Sequence, residues 1–370
     1  MVWTTSRLRS SIGVAVALVV GGIWMGCETT ESHAPARPAI RASATPTPIV
    51  LPGEPISVER WSIGGLQGDL ITTATHRIYT TLPEGRLRNE VPRFAEESVT
   101  HYRKMVTMLC DDVEALPPPP EKLDTFLFGS RSDWETWTKR RLGRDAPLYL
   151  AIERGGYTYD AESVLFDIGR YDTLCMLAHE GWHQYTQSFF PHPLPVWLEE
   201  GLATFAEGHR FRRTDETPTF LPWRNLERFG QLRTASSRGR LIPLEDIFDF
   251  PPQAFVLRGE QALLTYYAQV WLLVHYLAEG GNGRYREGLC QLVSDAASGR
   301  VASRLYDAKK TAGRRGVRPS RAVADSFIST YFDHDTHAFK AGYTEFLEEV
   351  VSSGNGMHIW RGISPITASQ

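Results

Sequence analysis

The 370-residue chain is predicted to be an α+β protein, with a small N-terminal mixed sheet carrying packed helices and a mainly helical C-terminal part. Three observations lead there. The composition, 42% hydrophobic and 22% charged, is that of a globular chain with ample core material, which excludes whole-chain disorder, collagen-like repeats and coiled coil. Segments with strand patterning concentrate before residue 170, and segments with helical spacing dominate after it. The length allows two or three domains as well as one large one. With 40 Lys+Arg against 43 Asp+Glu, the net charge of −3 gives no electrostatic case for a nucleic-acid partner. The 4 cysteines are too few and too scattered for a disulfide framework or a cysteine-rich zinc module.

Residues 1–27 read as an export signal. Arg7 and Arg9 stand without an acid, an apolar run covers residues 12–24, and Met25-Gly26-Cys27 closes it. That run is shorter than the roughly 20 residues a transmembrane helix needs. Gly26-Cys27 resembles a bacterial lipobox, which implies lipidation at Cys27 and a lipid-anchored protein on the membrane surface of the cell envelope. An ordinary cleaved signal or an uncleaved anchor is the alternative, and each version exports the rest. Residues 28–53 are rich in Pro, Ala, Ser and Thr and are predicted to be a flexible tether, since they bury too little to offset chain entropy. Residues 54–370 form the folded unit, with a strand-rich half over about 54–170 and a helical half over about 171–370.

Within that unit, residues 56–63 and 70–82 carry β-branched and aromatic residues at strand spacing. Gly64-Gly65-Leu66-Gln67-Gly68 between them reads as a turn, because no helix follows to complete a phosphate loop. Residues 87–110 place Val91, Phe94, Ala95, Tyr102, Met105 and Leu109 along one helical stripe. After the break at residues 117–120, residues 123–128 are a strand and 132–142 a short helix. Residues 155–160 and 163–168 suggest a strand pair joined by a tight Ala-Glu turn. Helices are predicted over 171–189, 195–208, 261–278, 285–297, 322–331 and 337–351, with a loose Arg- and Pro-rich stretch at 209–258.

The chemistry lies in His179-Glu180-Gly181-Trp182-His183, an H-E-x-x-H pattern inside a predicted helix. At about 100° per residue the two histidines fall roughly 40° apart on one face, so both imidazoles reach one ion. Glu180 stands beside them, placed for a metal-bound water and not for the metal. A second helix follows with Pro195-Val196-Trp197-Leu198-Glu199-Glu200-Gly201-Leu202-Ala203-Thr204-Phe205.

Together these segments resemble the gluzincin zinc metallopeptidases, particularly the aminopeptidase-N-like branch, whose third ligand lies in a W-L-x-E-G-x-A segment. The resemblance implies Zn²⁺ held by His179, His183 and Glu200, with 16 residues between the second histidine and the glutamate. Thr204, one turn on, is then placed to hydrogen-bond a ligand imidazole. The alternative is that Glu199 and Glu200 are merely solvated acids at a helix start. Tyr267-Ala268-Gln269-Val270-Trp271 resembles the helix whose first tyrosine donates to the oxyanion in that branch, which implies that role for Tyr267; a packed aromatic is the other reading. The exopeptidases also carry a G-x-M-E-N segment whose Glu binds the substrate amino terminus. The corresponding Gly155-Gly156-Tyr157-Thr158-Tyr159-Asp160 has no Glu at that position, which points to an endopeptidase acting on a peptide or protein. The overall layout is similar to uncharacterised bacterial gluzincin-like domains.

The expected mechanism has Glu180 as general base toward a zinc-activated water, with Zn²⁺ and Tyr267 stabilising the oxyanion. Two rival readings keep the zinc: an exported binding or scaffold protein with a relic site, and a hydrolase of a non-peptide substrate. An intact Glu180 argues against the relic. His275 and Cys175 read as packed residues and not as ligands, residues 333–337 as a polar inter-helix loop, and residues 309–321 as a solvated basic loop. Cys110 and Cys290 can pair only if the fold makes them neighbours.

Overall fold

The computed structural model describes residues 18–19, 41–43, 49–50, 55–110, 116–190, 192–314 and 323–366. Cys27 and nearly all of the expected signal and tether lie outside the described residues. Three short strands come from that region: β1 (Leu18–Val19), β2 (Arg41–Ser43) and β3 (Ile49–Val50). They border a mixed sheet of six longer strands, β4 (Pro55–Ile63), β5 (Leu66–Thr72), β6 (His76–Thr80), β7 (Leu123–Phe128), β8 (Gly156–Tyr159) and β9 (Glu162–Phe166). The spatial order is β8-β9-β7-β6-β5-β4, with β1 on β8 and with β2 and β3 on β4.

Strands β4, β5 and β6 form an antiparallel meander, the first pair joined across Gly64-Gly65 with Ile63 opposite Leu66. β6, β7 and β9 run parallel, and β8 folds back antiparallel on β9. The long strand expected over residues 70–82 is instead the end of β5, a turn and β6. The turn contains neither Gly nor Pro. The Thr73 hydroxyl accepts from the His76 amide (2.9 Å) and the Thr73 amide donates back to the His76 carbonyl (2.9 Å), so a threonine supplies the turn chemistry. The β8–β9 turn falls at Asp160-Ala161, one residue before the expected Ala-Glu, both residues having positive φ. Glu162 is thereby released to start β9, where it is buried and accepts from Arg141 (2.9 Å).

Each face of the sheet is covered. Helices α2 (Arg131–Leu142) and α3 (Ala146–Leu150) close one side, packing Trp134, Trp137 and Tyr149 on Tyr79, Phe126, Tyr157 and Phe166. On the other side α1 (Arg86–Leu109) and α4 (Arg170–Phe189) bring Phe94, Leu174, Leu177 and Ala178 against Ile78, Leu127 and Leu165. The fold is therefore α+β, as expected.

Beyond β9 the chain is mainly helical. α5 (Val196–Ala206) and α9 (Glu260–Gly283) lie side by side in the largest core, α9 buried almost all round as far as Ala278. A Cβ on Gly201 would stand 2.7 Å from Val274 Cγ2 and 3.0 Å from the Val270 carbonyl, so glycine is what permits this approach. The stretch 209–258 is more ordered than expected, containing α6 (Leu226–Ser237), α7 (Leu244–Asp249) and α8 (Pro252–Val256). α10 (Arg286–Ala297) is followed by α11 (Val301–Arg314), which takes in the first part of the expected basic loop; the rest lies outside the described residues. α12 (Val323–Phe327) runs into a π-helical turn, and α13 (Thr336–Val350) and α14 (Gly356–Arg361) complete the chain. Residues 333–337 form the expected polar connection, where Asp335 caps α13 through the amides of His337 and Ala338. Cys110, at the C-cap of α1, is disulfide-bonded to Cys290 on α10.

Candidate metal centre

Helix α4 is fastened to the sheet by polar contacts along the side that carries the H-E-x-x-H residues. The Ser163 hydroxyl of the β8–β9 hairpin donates to the Glu180 carbonyl (3.1 Å), the Thr158 hydroxyl lies 3.0 Å from the same carbonyl, and Gln184 donates to the carbonyls of Asp124 (2.7 Å) and Ala161 (2.9 Å). A Cβ on Gly181 would meet the Tyr102 hydroxyl at 2.5 Å, the same hydroxyl that donates to the Ala178 carbonyl (2.7 Å). Glycine there is a requirement of α1 crossing α4 closely.

On this frame His179 and His183 present their Nε2 atoms 3.4 and 3.6 Å from Glu200 Oε2, which α5 brings in. Ligand atoms of the three residues all lie within 4.8 Å of one another. All three side chains are fully buried, and among the described residues neither Nε2 nor either Glu200 oxygen has a hydrogen-bond partner. Buried polar atoms are rarely left so, and three gathered together, one from each residue, fit the demand of a cation. Glu200 is therefore no solvated helix-start acid, and Glu199 is only 13% exposed.

The other imidazole nitrogens are engaged. His179 Nδ1 lies 2.8 Å from Glu207 Oε1, and His183 Nδ1 lies 2.9 Å from Glu199 Oε1. A carboxylate at Nδ1 holds the proton there and leaves the Nε2 lone pair facing Glu200, the arrangement of a metal-ligating histidine with its outer partner. Burial alone would depress both imidazoles, but the carboxylates around them prevail: His179 is raised, and His183 is pushed up to about 10. Burial would raise Glu200, yet the two histidines hold it below the usual range. A divalent cation competes with protons for these same atoms.

Glu180 fits neither ligand nor scaffold. Its Oε2 accepts from the Thr158 hydroxyl (2.8 Å), while its buried Oε1 has no partner among the described residues. Burial raises its pKa. Tyr267 on α9 is fully buried with its ring centroid 6.0 Å from that of His179, and burial followed by Glu200 raises its phenol well above the ordinary value. Neighbouring Tyr266 stacks on Phe255 (4.8 Å), and its hydroxyl has no partner among the described residues.

Thr204 does not take the expected place. Its hydroxyl donates to the carbonyls of Glu200 (3.0 Å) and Gly201 (2.8 Å) within its own helix, so Glu199 and Glu207 hold the imidazoles instead. A threonine in mid-helix finds its i−4 carbonyl before it finds a distant ring. Glu207 is anchored by three neighbours: His179, the Asn225 amide (2.6 Å), and Arg228, whose Nη2 and Nε donate at 2.7 and 3.2 Å. These charges hold its carboxyl at about 2 against burial. Arg228, only 1% exposed, also lies over the Tyr267 ring at 5.2 Å. Glu207 has a sequence signal, since it lies seven residues beyond Glu200, about two helical turns. Arg228 has none, because its helix is hidden in the Arg- and Pro-rich stretch.

His275 is a packed histidine, stacked on Trp223 at 3.7 Å. Cys175, a free thiol, faces the Glu207 carbonyl (3.7 Å) and His209 Nδ1 (3.9 Å), outside the three-residue group. Among the described residues no other such group of His, Cys, Asp or Glu is present. No protein-family model matches this chain, and neither a curated protein nor a solved structure does.

Proposed function

We propose that this protein is a zinc-dependent peptidase of the gluzincin type, cleaving within peptide chains and not at their amino ends. The observation that carries the reading is the convergence of His179 Nε2, His183 Nε2 and Glu200 Oε2, all unpartnered and buried, beside an unpartnered Glu180 Oε1. Two neutral imidazoles and a carboxylate are a donor set suited to Zn²⁺ with a position left open. Bound there, zinc supplies Lewis acidity toward a carbonyl and lowers the pKa of water to roughly 7.

The chain's own residues do the rest. Thr158 fixes one oxygen of Glu180 and so aims the other, which takes the proton of the attacking water and delivers it to the leaving nitrogen. Raising the Glu180 pKa by burial makes it a better acceptor than an exposed carboxylate. Tyr267, held between His179 and Arg228, donates its phenolic hydrogen to the developing oxyanion. A peptide substrate is favoured by the position of β8. It is the last of the six longer strands, Thr158 on it touches Glu180, and its outer side takes Leu18–Val19 in register with Tyr157 and Thr158. An extended peptide taking the place of Leu18–Val19 at that edge would lie beside the general base. No acid in β8 stands ready to bind a free amino terminus, which supports internal cleavage.

Glu180→Gln tests the assignment. Zinc content is expected to stay at the wild-type level, while kcat on a cleaved peptide falls by roughly 10²–10⁴. Tyr267→Phe is expected to lower kcat by about 10²–10³, and Tyr266→Phe by less. If both Glu180→Gln and Tyr267→Phe cleave at the wild-type rate, the mechanism is wrong.

A further inference from the structure

Away from the metal centre, a pocket of about 440 Å³ opens where the start of α4, the segment after β10 (His209–Arg210), the segment before α6 and the end of α14 meet. Its charged lining is Arg210, Arg212, Arg224 and Arg361, with no acid and no lysine among the lining residues, and Tyr171 and Trp360 contribute aromatic walls. We propose that this pocket is a binding site for a phosphate-type oxyanion of at least two charges, attached to an apolar or planar body. The inference does not use the zinc or the peptidase reading.

Among the described residues none of the four guanidiniums is ion-paired with a carboxylate, whereas Arg141, Arg154, Arg170 and Arg228 each are. Four like charges converging in a chain of net charge −3 repel one another, and a dianion relieves that repulsion. Arg224 donates to the His209 carbonyl (2.7 Å) and the Trp360 carbonyl (3.0 Å), so it ties two walls of the pocket together before any ligand arrives. It also lies 5.9 Å from the Tyr171 ring, and Tyr171 in turn stacks on His209 at 5.0 Å. Planar guanidinium forks match the oxygens of phosphate, which a spherical halide does not use. Trp360 is 48% exposed, an aromatic face presented beside the arginines and not spent on the core.

The chemistry fits a soluble phosphorylated molecule or the headgroup of an anionic lipid, and the test separates these. Calorimetry of the full chain with inorganic pyrophosphate is expected to show saturable one-to-one binding. Arg210→Gln and Arg361→Gln, whose side chains make no hydrogen bond or ion pair among the described residues, should each weaken it about tenfold, the loss of one charge-assisted hydrogen-bonding group. Arg240→Gln, an exposed arginine elsewhere, should leave it unchanged. Competition by vesicles of phosphatidic acid, whose phosphomonoester can carry two charges, in phosphatidylcholine, against pure phosphatidylcholine, would assign the site to a headgroup; binding unaffected by them would assign it to a soluble anion. The proposal is overturned if pyrophosphate does not bind saturably, if both pocket variants bind as wild type does, or if Arg240→Gln loses as much. Vesicle binding without saturable pyrophosphate binding would also overturn it, because a charged surface and no pocket would then be responsible.

Discussion

Replacing Arg228 with methionine keeps most of the side-chain volume and removes the cation that two of its nitrogens bring to Glu207 at 2.7 and 3.2 Å. The cost can be worked from the carboxylate. Glu207 titrates at about 2 in place of 4.5, even though burial pushes it up, and Arg228 is the largest of the charges that hold it down. At about 1.4 kcal/mol for each tenfold change in proton affinity, its surroundings favour the charged form by about 3 kcal/mol. Breaking a buried pair from one side costs about 3–5 kcal/mol by the same reasoning, because an uncompensated charge remains. We therefore expect Arg228→Met to lose about 3 kcal/mol in urea unfolding with chelator present, and to bind zinc 10- to 100-fold more weakly, since Glu207 no longer holds His179 firmly. Glu207→Gln combined with Arg228→Met should be less damaging than the sum of the two, with a coupling of at least about 1 kcal/mol. Additive effects, or an Arg228→Met variant that unfolds at the wild-type midpoint, would refute the reasoning.

The Cys110–Cys290 bond closes a loop with a sequence separation of 180, and chain entropy gives it up to about 5 kcal/mol of stabilisation. Reduction, or Cys290→Ser, should lower the urea midpoint clearly; coincident curves for the oxidised and reduced protein would contradict this. Acid should destabilise the fold well before the carboxylates are neutralised. Burial depresses His76 and His209 to about 4 and His101 to about 3, below the 6.5 of an exposed imidazole. Their contribution is complete above pH 6.5 and is lost as pH falls toward 4 and 3. His101→Phe keeps the stack on Phe220 and removes one proton site, so its midpoint should fall less steeply between pH 6.5 and 4; an unchanged slope would exclude His101 as a contributor.

Much of the centre was legible because its residues are tied to helical periodicity. The spacing of His179 and His183 needs only α4 to be a helix, and Glu200 needs only α5 to return alongside it. The strand over Leu123–Phe128 is legible for another reason, a short segment ending in Phe-Leu-Phe between the prolines at 117–120 and Gly129-Ser130. What stayed hidden depends on contacts between distant segments. Asn225 and Arg228 reach Glu207 from a helix whose buried face, Arg228, Phe229, Leu232 and Ala235, mixes an arginine into the apolar stripe. The threonine-built turn between β5 and β6 carries no Gly or Pro to announce it. Thr204 was misplaced because position on a helix does not say which acceptor a hydroxyl meets first. The pairing of Cys110 with Cys290 required the packing of α1 against α10, which no local pattern encodes.

Elemental analysis of the purified protein tests the central claim most directly. The wild-type chain is expected to carry one zinc per molecule, Glu180→Gln the same, and His183→Ala and Glu200→Gln far less, with circular dichroism confirming that each variant is folded. Stoichiometric zinc in folded His183→Ala, or none in wild type after reconstitution with zinc, would contradict a metal centre at His179, His183 and Glu200.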